Sequence, residues 1–249
     1  MIVSHAHRFV FVHAPKTGGT SLATALERHL VDGDITIGDT PLAKDWRKRF
    51  RDRPKRDPRI WKHSTLAEIE RWLGADALVG YRVVTLVRDP WDRLVSYYHW
   101  ARAQDWDHPV TRAARTLDFN AFVAHPAGGP AMFAAPISAW VTGLDRTARC
   151  DLFVRLEDLS GDGGQEGETN PGGNGSRNGS QYGTQYGAQI GAQYGGGAAI
   201  GGLLGLDLGA IPHLNRSTAR HHRSAYSPET SALVARLARR DIAEHGYGF

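Results

Sequence analysis

Residues Arg8 to Leu30 read RFVFVHAPKTGGTSLATALERHL. Phe9, Val10, Phe11 and Val12 are four consecutive aromatic or β-branched residues with no charge among them, the pattern of a strand buried on both faces of a parallel sheet. His13 to Ser21 breaks that run with a proline, two glycines and three hydroxyl side chains, Thr17, Thr20 and Ser21. Leu22, Ala25, Leu26 and Leu30 then recur at helical spacing. The order is strand, glycine-containing turn, helix.

Such a turn offers backbone N–H groups at a helix N-terminus, where the helix dipole also favours negative charge. Gly18 and Gly19 carry no Cβ, so the backbone can approach an anion closely. Lys16 adds a point charge, and the hydroxyls of Thr17, Thr20 and Ser21 add donors. The segment therefore reads as a phosphate cradle. Its lysine precedes the glycines, whereas the GxxxxGK[ST] loop of nucleotide hydrolases places it after them. A plain βα turn with a Thr or Ser helix cap is the competing reading.

A second stretch, Tyr81 to Trp100, reads YRVVTLVRDPWDRLVSYYHW. Val83 to Val87 predicts another buried parallel strand, which Asp89-Pro90 stops. Asp89 then caps a helix with Pro90 in its first turn. Arg88 falls at the C-terminal edge of that strand, where open α/β sheets bind ligands, and Ser96 follows two helical turns later. Arg88 can either bind an anion there or pair with Asp89 or Asp92.

Elsewhere the pattern is thinner. Leu152 to Leu156 predicts a third buried strand, and Leu66, Ile69, Trp72 and Leu73 a helix capped by Ser64 or Thr65, with Glu68 completing a capping box. His63 stands just before that helix. Helical segments are expected within 106–135, from Ile137 to about Asp145, and from Ser227 to about Glu244. Lys44 to Lys62 carries ten Lys or Arg against three Asp. That is either a solvated surface or an electropositive wall facing a polyanionic acceptor. From Gly161 to Gly205 the chain turns to Gly, Gln, Asn and Ser, with SQYG, TQYG, AQIG and AQYG in succession. A flexible surface insertion is expected, a small β-repeat being the other option.

The chain has 249 residues, enough for one domain spanning 1–249 around that insertion, and a formal charge of +4. That charge favours anionic ligands without amounting to a nucleic-acid-binding tail. Cys150 is the single cysteine, so neither a disulfide framework nor a thiolate metal cluster is expected, and no His/Cys/Asp group has metal-ligand spacing. No signal peptide or membrane span is legible, which predicts a soluble, cytoplasmic protein. Oligomeric state is not encoded in any pattern found.

Taken together, HAPKTGGTSL and VRDPWDRLVSYY resemble two motifs of the sulfotransferases that use 3′-phosphoadenosine-5′-phosphosulfate (PAPS), and in particular the carbohydrate-type branch with the heparan and chondroitin 2-O-sulfotransferases. Leu156-Glu157-Asp158-Leu159, Pro212-His213-Leu214-Asn215-Arg216-Ser217 and the aromatic C-terminal end are weaker echoes. The resemblance implies an α/β fold with a central parallel β-sheet flanked by helices, of the P-loop NTPase-like kind. It also implies that Lys16, Thr17, Gly18, Gly19, Thr20 and Ser21 hold the 5′-phosphosulfate and that Arg88 and Ser96 hold the 3′-phosphate. Lys16 would be catalytic through charge stabilisation, and His63 matches the place of the family's catalytic base. The implied reaction is sulfuryl transfer from PAPS to an acceptor hydroxyl, on a carbohydrate, neutral or acidic, or alternatively on a small lipid or metabolite alcohol, with no metal. A small-molecule kinase on the same fold and a non-catalytic nucleotide-binding protein are the alternatives.

Overall fold

The computed structural model describes residues 1–51, 60–159, 193–211 and 222–249. Six strands form one mixed sheet: β1 (Ile2–Ser4), β2 (Phe9–Val12), β3 (Ile35–Thr36), β4 (Arg82–Val87), β5 (Leu152–Arg155) and β6 (Gln193–Gly195), in the order β3-β1-β2-β4-β5-β6. β2, β4, β5 and β6 run parallel, with Val12 opposite Thr85 and Val84 opposite Leu152. β1 is antiparallel to both of its neighbours. The three strands anticipated from sequence are thus β2, β4 and β5, the middle of the sheet.

Alternation along these strands sorts their side chains onto two buried faces. Phe9, Phe11, Val84, Leu86, Leu152 and Val154 pack on Leu22 and Leu26 of α1 (Gly19–Leu26). Val10, Val12, Val83, Val87 and Phe153 face the other way, against Leu66 and Ile69. Those two residues belong to the next helices in order, since α2 spans Pro41–Arg51 and α3 spans Leu66–Leu73. At about 1.5–3 kcal/mol for each fully buried large apolar side chain, these two faces are the main source of stability. Thr85, a polar residue inside β4, is satisfied because its hydroxyl donates to the Val12 carbonyl at 2.8 Å.

A third apolar cluster lies in the helices beside the sheet. It joins Trp91, Leu94 and Tyr98 to Val110, Phe122, Val234 and Ala238. These come from α4 (Pro90–Arg102), α5 (Pro109–Thr116), α6 (Phe119–Ala124) and the C-terminal region. α7 (Gly129–Met132) and α8 (Ile137–Trp140) are single turns. The helix expected to reach Asp145 therefore stops at Trp140, and a bridge between Thr142 and Ala148 follows.

Three expectations are corrected. The insertion does not extend to Gly205: Gln193–Gly195 is the edge strand β6, and Gly197–Leu204 is α9, with Ile200 and Leu204 buried under the sheet. Its glycines permit close packing, since a Cβ on Gly197 would lie 2.9 Å from Ile211 Cδ1. The segment Val31–Asp39, whose Asp and Gly content predicts a loop, contains β3. The single C-terminal helix is two, α10 (Pro228–Leu237) and α11 (Arg239–His245), broken at Ala238, where φ and ψ are −95° and 15°. The remaining repeats up to residue 192 and the segment Pro212–Ser217 lie outside the described residues.

Candidate functional site

Parallel strands bring their C-terminal ends to one edge, so the turns after β2, β4 and β5 meet there. They border a cleft of about 670 Å³. Of the residues singled out from sequence, Lys16, Gly18, Gly19, Thr20, Ser21, His63, Arg88 and Ser96 all line it. Thr17 does not: it is fully buried, and its hydroxyl donates to the Ala14 carbonyl at 2.8 Å, closing the turn rather than facing a ligand.

The turn holds two left-handed residues, Lys16 at φ 63° and Gly18 at φ 81°. A lysine in that region costs energy that its surroundings must offset. Two arginines of the second motif do so. Arg93 Nε donates to the Pro15 carbonyl at 3.0 Å and Arg88 to the Lys16 carbonyl at 3.2 Å. Gly18 is the N-cap of α1, and no side chain caps it. The helix thus starts without the Thr or Ser cap that the bland reading of the turn required.

The glycines serve packing as well as access. A Cβ on Gly18 would strike the Leu156 side chain, and one on Gly19 would lie 2.7 Å from His13 Cγ and closer still to Cδ2 and Nε2 of that ring. His13, unremarked in the sequence, is the floor of the turn. Its ring stacks on Phe11 at 5.7 Å and meets the edge of His63 at 4.7 Å.

His63 is fixed by the loop that carries it. The Ser64 N–H donates to the Trp61 carbonyl, and the Trp61 N–H donates to Ser64 Oγ. Thr65 caps α3 in a full capping box with Glu68. His63 Nδ1 lies 2.7 Å from the His13 carbonyl. A carbonyl only accepts, so Nδ1 carries the proton and Nε2 is the basic nitrogen of the neutral ring. Burial lowers the His63 pKa to about 4, against the partial opposition of that hydrogen bond. Burial also holds His13 well below the usual range. Both imidazoles are neutral near pH 7.

Lys16 is pulled down to about 8, first by burial and then by the charge of Arg88. Its ammonium lies 5.3 Å from the centre of the Trp100 ring. Arg88 sits directly after β4, as expected, and pairs side-on with Asp92 at 2.7 and 2.8 Å. The pairing alternative is therefore realised with Asp92, while Arg88 still borders the cleft. Arg93 is fully buried, 3.5 Å from Asp241, whose carboxylate also accepts the Ile137 N–H at 2.7 Å. Burial lowers the Arg93 pKa to about 10.

The cleft thus combines an uncapped helix N-terminus, a lysine and an arginine with a neutral histidine whose basic nitrogen is free of the backbone. Such a set can hold an anion and accept a proton. Asp241, Glu244 and His245 come close enough to suggest a cation site, but Arg93 and Arg240 already neutralise the carboxylates. Among the described residues, no helix is long and apolar enough to cross a membrane.

The family model that matches the chain, over residues 1–125, is that of the sulfotransferase family. That span contains both motifs and His63. No curated protein and no solved structure matches.

Proposed function

The chain belongs to the sulfotransferase family, and we propose that PAPS is its sulfuryl donor and the hydroxyl of a carbohydrate its acceptor. The observation that carries this reading is the convergence of Lys16, Arg88, Ser96 and His63 on one cleft. The residues present suit the donor. The first-turn amides of α1, Lys16 and Ser21 suit a 5′-phosphosulfate, and Arg88 with Ser96 suits a 3′-phosphate through charge-assisted hydrogen bonds. When bound, PAPS supplies an activated sulfur whose bond to the bridging phosphate oxygen breaks as one to the acceptor oxygen forms.

The protein's own residues have three tasks. Lys16 places positive charge where negative charge develops on the leaving oxygen, a stabilisation made stronger by its partial burial. His63 Nε2 takes the proton of the acceptor hydroxyl, while the His13 carbonyl holds Nδ1–H and fixes the tautomer. Arg88 and Arg93 keep the Pro15-Lys16 backbone in its left-handed turn, so that the donor loop is formed before the ligand arrives.

The test is calorimetric binding of adenosine 3′,5′-bisphosphate (PAP), with adenosine 5′-monophosphate and ATP as controls. PAP should bind best, and Arg88→Ala should weaken it by roughly tenfold to a hundredfold, the worth of a charged hydrogen bond. Arg88→Lys, which keeps the charge, controls for loss of the loop brace. ATP binding as tightly as PAP, and more so with magnesium, would replace this reading with a kinase.

A further inference from the structure

Among the described residues, three tryptophans expose more than a third of their surface: Trp61 at 48%, Trp100 at 37% and Trp106 at 40%. All three line the one cleft. Exposed indoles collected in a concave site are unusual for a surface and ordinary for a ligand pocket.

Their positions bracket the reacting end of the cleft. The Trp61 ring meets His63 at 5.1 Å, and the Trp100 ring lies over the Lys16 ammonium at 5.3 Å. Trp106 extends the Trp100 wall, with ring centres 6.1 Å apart. His108 stands beside Trp106 at 5.2 Å, and its Nδ1 accepts the Val110 N–H. The neutral ring therefore carries its proton on Nε2, a donor for a hydroxyl oxygen.

The charges in the cleft point the same way. Its described cations are Lys16, Lys62, Arg88 and Arg93. The donor uses Lys16 and Arg88. Arg93 is fully buried against Pro15 and Asp241, and Lys62 is paired with Asp39 at 2.5 Å. Asp92 and Glu157 also line the cleft and oppose further negative charge. Among the described cleft residues, Lys62, already bound to Asp39, is the one cation neither assigned to the donor nor buried.

We propose that Trp61, Trp100 and Trp106 form the acceptor subsite and that it takes an uncharged, hydroxylated ring stacked on indole, not a polyanionic chain. This deepens the sulfotransferase reading and rests on it. An uncharged sugar and a phenol share that chemistry, so the test includes both.

The experiment is saturation-transfer NMR on the PAP-loaded protein with methyl β-D-glucopyranoside, 2-naphthol and fully desulfated heparin, which keeps its carboxylates. At least one neutral ring should bind with an affinity that salt does not change, because no ion pair is involved. Trp61→Ala and Trp106→Ala, both at exposed positions, should each weaken that binding by roughly tenfold, the scale of a stacking contact. PAP affinity and melting temperature should stay at wild-type values. Whichever neutral probe binds better names the source. Desulfated heparin binding more tightly than both rings, binding of neither ring, or wild-type affinity in both variants overturns the proposal. If the wild type fails to bind PAP, the donor reading itself falls, and the calorimetry shows this separately.

Discussion

Replacing Gly19 with alanine tests the description of the donor turn at its tightest point. Gly19 is the first residue of α1, and by helix propensity alone alanine there should stabilise the protein by up to about 1 kcal/mol. The structure predicts the reverse. A Cβ would lie 2.7 Å from His13 Cγ and nearer to Cδ2 and Nε2. The ring cannot retreat, because Phe11 stacks on it at 5.7 Å and His63 abuts it at 4.7 Å. Overpacking of this kind costs about 1–3 kcal/mol, so Gly19→Ala should be net destabilising by about 1–2 kcal/mol. Urea denaturation of the wild type, Gly19→Ala, His13→Ala and the double variant measures the clash as a coupling energy. Removing the imidazole frees the space, so alanine at 19 should be neutral or stabilising in the His13→Ala background. A Gly19→Ala protein as stable as the wild type, or the same alanine effect in both backgrounds, would refute the reasoning.

Three further outcomes are expected. Lys16 is lowered to about 8 by burial and by Arg88, so PAP affinity measured against pH should begin to fall near pH 8; affinity unchanged up to pH 10, the ordinary lysine range, contradicts this. Three histidines resist protonation when folded: His13 well below its usual range, His63 to about 4 and His245 to about 3. Unfolded chains bind those protons more readily below pH 6.5, so the stability is complete above that pH. It should be lost as pH falls towards 4, by a few kcal/mol in total, with Asp241, raised by burial, opposing part of the loss. Urea midpoints that do not move between pH 7 and pH 5 would argue against buried neutral rings. Finally, Asp241→Asn leaves the Arg93 charge buried without its counter-charge and should cost about 3–5 kcal/mol, whereas Arg93→Met with Asp241→Leu should recover much of that in the same denaturation assay.

Much of this architecture was legible because the central strands are long apolar runs and the turns after them carry unusual chemistry. FVFV and VVTLV declare themselves as buried strands, and KTGGTS and RDPWDRLVS sit where such strands end. β1 and β3 were invisible for a physical reason. At three and two residues they are too short to show a period, and their pairing is a tertiary fact. α9 was hidden by composition: GAAIGGLL reads as linker, yet Ile200 and Leu204 bury themselves because glycine lets the backbone come close. In the site, Lys16, Arg88, Ser96 and His63 came from motif and position. His13 and the three tryptophans did not, since residues 13, 61, 100 and 106 meet only once the sheet is built. The Thr17 hydroxyl serves the loop itself through its bond to the Ala14 carbonyl, a local role that residue type alone does not reveal.

The tie from Arg93 to Asp241 also bears on how the protein is made. The turn at residues 15–16 and Arg93, which braces it, both precede Asp241 in the chain. The carboxylate that neutralises Arg93 arrives some 148 residues later, the separation of 93 and 241. Until that segment is released and docked, the arginine must stay in water and the turn is left without one of its two braces. Contacts of such long sequence separation form late and slowly. A nascent chain arrested between residues 93 and 241 should therefore form its central strands while the turn at residues 15–16 stays loosely held, so that order in that turn reports docking of the segment around Asp241.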